Sequence, residues 1–214
     1  MSIAIVGMLD EREEALGIIK NQIEGSGFKT CLIDISIGTG ATVPSLQADV
    51  NAREVAELVQ GLDIEGEPAV ADTKDTISTI MGRGLRRRVS LLHESGKLEG
   101  IIAIASLTGT LISLRAMKVL PYGFPKLLLS SAAAMPAYAT ALAEYFVLKD
   151  ITVMYTVIDT VGMNYLVRLL AINGANAISG MVKADAPLLG TERPLLAITE
   201  FGFCDKGPTI FGRC

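Results

Sequence analysis

Apolar runs and helical-period stretches alternate along this chain, and the alternation predicts a parallel sheet wrapped by helices. Residues 2–6 form a short apolar run ended by Gly7, which suits a buried first strand. Asp10 to Glu14 then supply acidic side chains where a helix should start, complementing the helix dipole. Ala15, Leu16, Ile19 and Ile23 fall at helical spacing, and Gly25 and Gly27 stop the helix. Residues 28–35 read as a second strand. A strand–helix–strand opening imposes a parallel pair and a right-handed crossover.

The next stretch, residues 36–50, is rich in Gly, Thr and Ser and reads as a long loop. Residues 51–60 predict a short helix, with Asn51 as its cap and Glu54 three positions later. Residues 73–96 carry a long helical pattern through Ile77, Ile80, Met81, Leu85, Val89 and Leu92. Residues 100–105 are apolar on both faces, the mark of a strand covered from both sides. A helix over 110–120, a strand over 126–131 and a helix over 137–146 follow. A strand over 151–155, a helix over 161–177 and a sixth strand over 195–199 complete the series. The fold class is therefore α/β, a Rossmann-like, mostly parallel three-layer sheet with helices on both faces. Residues 1–194 are expected to form that domain. Residues 195–214 are expected to be its last strand and the start of a truncated second domain.

Composition narrows the class. Half of the 214 residues are hydrophobic and 20% are charged, enough for a large core and a solvated surface. The net charge of −4 argues against nucleic-acid binding. Arg83, Arg86, Arg87 and Arg88 spread over more than one helical face and read as a solvated surface, or else as an acidic-partner patch. Cys31, Cys204 and Cys214 lack the spacing of a disulfide framework or zinc knuckle, and free thiols point to a reducing, cytoplasmic setting. The single histidine, His93, excludes a histidine metal cluster, so no metal centre is expected. The N-terminus has no signal peptide pattern, and the uncharged run 127–143 reads as strand, small-residue loop and helix, so no membrane segment is expected.

In an open parallel sheet, ligands bind beyond the carboxyl ends of the strands. Those ends offer Gly7 and Asp10 after the first strand and Asp34 after the second. They offer Ser106, Thr108, Gly109 and Thr110 after the third, and Ser130 and Ser131 after the fourth. The third turn runs small hydroxyl residues straight into a helix, an arrangement suited to a phosphate or carboxylate; the alternative is that Thr108 only caps that helix. Asp34 stands where dinucleotide folds hold a ribose, but no GxGxxG or GxxxxGK[ST] fingerprint is present. Asp10, Asp150 and Asp159 are candidate acid–base carboxylates, with Asp10 and Asp159 equally readable as helix caps.

IVGMLDEREE, GIIAIASLTGT, LPYGFPKLLLSS, KDITVMYTVIDTVGMN and PLLAITEFG follow one another along the chain. In order and spacing this series resembles the N-terminal half of the tomato mosaic virus resistance protein-like ATP-binding family. The resemblance implies a Rossmann-like domain of a two-domain protein, association with ATP, with magnesium as its companion ion, and homo-oligomerisation. It implies no particular reaction, and no catalytic residue is assigned. The chain departs from the family at its turns. Where the family's third turn reads GGSGGT, positions 105–110 are ASLTGT, and only Gly109 and Thr110 match. Where the first reads GTLDTKG, Gly7, Leu9 and Asp10 persist while Met8 and Arg12 replace threonine and lysine. After the fourth strand, Ala132, Ala133, Ala134 and Met135 replace a polar stretch. Three readings follow: a nucleotide-binding domain of a two-domain oligomer, a scaffold subunit with a degenerate nucleotide site, or an enzyme acting on a small carboxylate or acyl substrate with Asp10 or Asp150 as base.

Overall fold

The structure, a computed structural model, describes residues 1–41, 43–59, 77–146 and 149–184. Five strands form the sheet: β1 (Ser2–Gly7), β2 (Thr30–Asp34), β3 (Leu98–Ala105), β4 (Lys126–Ser130) and β5 (Thr152–Tyr155). Their order is β2-β1-β3-β4-β5 and every pair is parallel. The helices are α1 (Leu9–Gly25), α2 (Ala52–Glu57), α3 (Ile77–Glu94), α4 (Leu107–Met117), α5 (Ala139–Phe146) and α6 (Tyr165–Lys183). The chain leaves β1 toward β2 on one side and resumes at β3 on the other. That reversal makes a crevice between the carboxyl ends of β1 and β3, the topological switch point where doubly wound sheets bind ligands.

The two-sided apolar pattern of β3 sets the layers. Ile101 and Ala103 enter one core with α2, α3, α4 and α5. Ile102 and Ile104 enter the other with α1 and α6. Burying such an isoleucine stabilises by about 1.5–3 kcal/mol, and truncation to alanine costs about 2–5 kcal/mol. Among the described residues α6 alone is long and apolar enough to cross a membrane, but its Val167, Ala171, Ala175 and Ile178 pack into this second core.

Several predicted boundaries move for local reasons. α4 begins at Leu107 rather than Thr110, because Ser106 is already extended as the N-cap. Thr108 therefore lies inside the first turn and caps nothing. α6 begins at Tyr165 rather than Val161: Asn164, not Asp159, is its cap, its Oδ1 accepting from Leu166 and Val167 N–H at 2.9 and 3.0 Å. α5 is preceded by a 3₁₀ turn over Pro136–Tyr138. The Asn51–Glu54 capping box is present as read. The predicted sixth strand over 195–199, with the rest of 195–214, lies outside the described residues, as do positions 60–76.

Candidate functional site

All nine predicted site residues lie at the carboxyl ends of β1 to β4 or in the turns that follow, but they divide by what already occupies them. Asp34 closes the start of α1. Its Oδ1 accepts from Leu9 N–H at 3.1 Å and from the N–H and hydroxyl of Ser36 at 2.9 and 2.6 Å. Ser36 Oγ in turn accepts from Asp10 N–H at 3.2 Å. One oxygen of Asp10 accepts from Gly40 N–H at 2.9 Å, and the other is buried with no partner among the described residues. Gly40 is required there, since a Cβ would lie 2.0 Å from the Asp10 carbonyl oxygen. Gly7 serves packing: a Cβ on it would meet Leu16 Cδ2 at 2.7 Å. The carboxylate read as a ribose acceptor and the glycine read as a phosphate approach thus work within the fold.

The start of α4 is different. Ser106 makes no side-chain capping bond, and the first helical N–H engaged is that of Thr110, to Ser106 O at 2.9 Å. The N–H groups of Leu107, Thr108 and Gly109 have no partner among the described residues. Ser106, Leu107 and Thr108 are half-buried, and so is Ser131. The register pairing Ala105 with Ser130 sets Ser106 and Ser131 side by side just beyond the paired strands. Open N–H groups beside three hydroxyls suit an anion.

The floor of this turn is packed. Gly109 is buried, and a Cβ on it would stand 2.9 Å from Ala105 Cβ and 3.7 Å from Met8 Cε. The Met8 side chain therefore fills the crevice between β1 and β3. Thr110 and Ser130 are wholly buried and share a 2.7 Å hydrogen bond. Ser130 Oγ also accepts from Ala132 and Ala133 N–H, each at 3.1 Å, shaping the turn after β4. The predicted residues left facing outward are Ser106, Thr108 and Ser131.

The other candidate carboxylates lie elsewhere. Asp150 precedes β5 at the amino end of the sheet, remote from the crevice, and cannot serve it as a base. It accepts from the wholly buried Lys126 at 2.9 Å and from Gly123 N–H at 2.7 Å. Burial raises its pKa, but the Lys126 and Gly123 hydrogen bonds outweigh that and hold the carboxyl below its usual range. Desolvation pulls Lys126 below its usual range, partly offset by Asp150. Lys126 also donates to Pro121 O at 2.7 Å and Phe124 O at 2.9 Å, so the group is a structural clamp. The sequence hid this clamp, because a lysine in an apolar strand carries no sign of its partner at 150. His93 stands edge-on to Phe124, with ring centroids 5.2 Å apart. Burial first, then Asp49, pushes the Cys31 thiol up, which disfavours its thiolate.

Arg12 is the largest omission of the sequence reading. It is 2% exposed and donates to Thr160 Oγ1 and Asp159 Oδ1, each at 2.9 Å, and to Glu11. Asp159, read as an acid–base group or cap, is its ion-pair partner. Among the described residues no group of three or more His, Cys, Asp or Glu side chains could hold a metal.

The family model described as "Uncharacterised protein family (UPF0261) N-terminal domain" matches residues 1–187. A UPF0261 protein of Clostridium tetani is 35% identical over 97% of this chain and 49% of its own length. One from Rhizobium meliloti is 28% identical over 94% of this chain and 46% of its own length. The chain thus spans about half the length of these curated relatives. A ToMV resistance protein from Solanum lycopersicum is 27% identical over 52% of this chain and 14% of its own length.

Proposed function

This chain belongs to the UPF0261 family, with residues 1–187 as its N-terminal domain, and from that premise we propose that the domain binds a nucleotide, ATP with magnesium first, holding phosphate at the start of α4. One observation carries the reading: the N–H groups of Leu107, Thr108 and Gly109 have no partner among the described residues and lie at the switch point of a doubly wound sheet. The dipole there contributes about 0.3–1 kcal/mol, and the hydroxyls of Ser106, Thr108 and Ser131 add donors. The resemblance of the sequence to an ATP-binding family supports the nucleotide class. With no acidic cage among the described residues, magnesium would arrive on the phosphates and keep several waters. Met8 and Leu107 narrow the turn, so it suits one phosphate better than a pyrophosphate laid across it. Cysteines without disulfide spacing support a cytoplasmic setting for the domain.

The test is a melting series with magnesium and ATP, ADP, AMP, NAD or coenzyme A. At 100 times its dissociation constant a ligand stabilises by about 2.7 kcal/mol, a rise of several degrees. An unchanged melting temperature at millimolar ATP would reject the reading.

A second reading, an assembly subunit that pairs with another copy of itself, is favoured by one edge of the sheet. The β2 edge is covered: Val50 bridges Ile33, and Asp49 accepts from Leu32 N–H at 2.7 Å. The β5 edge carries no charged residue, and Val153, Tyr155 and, on the adjoining α6, Tyr165, Leu166 and Leu169 are exposed. Tyr165→Glu with Leu169→Glu should then turn an oligomer into a monomer by sedimentation velocity; a parent chain already monomeric at high concentration would reject it.

A further inference from the structure

We infer that residues 156–164 form a latched strap across the carboxyl end of the sheet, held shut by Arg12 and strained at Val157. The inference does not depend on what the site binds. β5 is an edge strand and β1 lies three places inward, about 14 Å at the usual strand spacing. The strap leaves beside β4, with Thr156 N–H donating to Ser130 O at 3.1 Å. It then reaches α1, where Arg12 Nε meets Thr160 Oγ1 and Nη2 meets Asp159 Oδ1. Asn164 ends it by capping α6. A pocket of about 240 Å³, lined by residues 11–15 of α1 and by Gly162 of the strap, borders the junction.

The helix that carries the latch is kinked at it. At Arg12 the backbone leaves the helical region, with φ −134° and ψ 27°. A buried guanidinium is costly without partners. Beyond its neighbour Glu11, the partners described for Arg12 both come from the strap.

The strain sits at the other end. Ile158 N–H donates to Thr156 O at 2.7 Å, closing a three-residue turn centred on Val157, whose φ is +64°. A γ-turn with positive φ is the rare, strained form, and a β-branched residue is among the worst suited to it. The Val157 side chain is 72% exposed, so no burial offsets that strain. Val161 is exposed as well. Ile158 and Met163 pack the strap against the second core and Thr156 Oγ1 donates to Ile158 O at 2.8 Å, so the bonds at 159 and 160 act together with that packing to hold the closed shape. Gly162, with φ +71°, supplies a joint between those bonds and α6.

Hydrogen exchange on the 214-residue chain tests the inference without any ligand. Asp159→Asn alters an exposed carboxylate and should leave the fold intact. It should speed exchange of the strap amides about tenfold, equivalent to about 1.4 kcal/mol, with β1 and β3 amides unchanged. Arg12→Lys should act in the same direction, because one ammonium cannot span both strap partners. Val157→Asn, which tolerates positive φ without adding glycine's freedom, should slow strap exchange about threefold. It should also restore part of the protection lost in Asp159→Asn. Strap amides in Asp159→Asn that exchange as in the parent, or that rise only in step with the core strands, overturn the latch. Strap exchange in Val157→Asn that is unchanged or faster overturns the strain.

Discussion

The two helix starts flanking the switch point are finished in opposite ways. α1 begins under a carboxylate: Asp34 takes Leu9 N–H, Ser36 takes Asp10 N–H, and Met8 O takes the next two. Its positive end is already neutralised, and a phosphate there would meet Asp34 and Asp10. Among the described residues, α4 begins under half-buried hydroxyls alone, and Ser106 is extended with no side-chain bond to the helix. One helix uses its dipole to fasten the loop after β2; the other keeps it available. A helix N-terminus in a parallel sheet is therefore not a ligand site by position alone. It becomes one only where the chain leaves its N–H groups unmatched.

The contrast can be broken by removing each polar group in turn. Asp34→Ala strips the acceptor from Leu9 N–H, Ser36 N–H and the Ser36 hydroxyl together. It should cost about 2 kcal/mol at neutral pH, or about 6 °C in melting temperature. Ser106→Ala removes a hydroxyl that makes no capping bond, and should stay within about 0.5 kcal/mol of the parent. Calorimetry on the two variants decides the matter. Equal losses would mean that Ser106 caps α4 after all, and the asymmetry would vanish.

Much of this architecture is readable from residues alone, for identifiable reasons. β3 is apolar on both faces, and that pattern needs helices above and below the sheet. The Asn51–Glu54 box is local and survives unchanged. What escapes the sequence is whatever depends on a distant partner. Asp34 reads as a ribose acceptor until Ser36 and Leu9 are seen to claim its oxygen. Arg12 reads as a lysine replaced on an acidic helix start, while its partners lie at 159 and 160. Asp159 reads as a cap because a carboxylate just before a helical pattern usually is one; here Asn164 is nearer the true start. Met8 and Leu107 are the exceptions, since bulk where a family has small residues already signals a narrower turn.

Leu107 gives the smaller but sharper test of the open start. Its side chain is half-buried in the first turn of α4, among the very N–H groups that would face phosphate. Leu107→Gly removes that bulk and leaves Met8 in place below. A glycine in the first turn should cost under about 1 kcal/mol of stability. Nucleotide affinity, measured by isothermal titration with magnesium present, should rise about three- to tenfold, equivalent to about 0.7–1.4 kcal/mol. Asp34→Ala serves as the control, because any general loosening of the carboxyl end would improve binding there too. A gain in Leu107→Gly alone places the phosphate at α4. Affinity unchanged in both variants would mean that the open N–H groups face no ligand, and the difference between the two helix starts would then be one of packing: Asp34 anchors the loop after β2, whereas the turn before α4 is anchored instead by the Thr110–Ser130 bond beneath it.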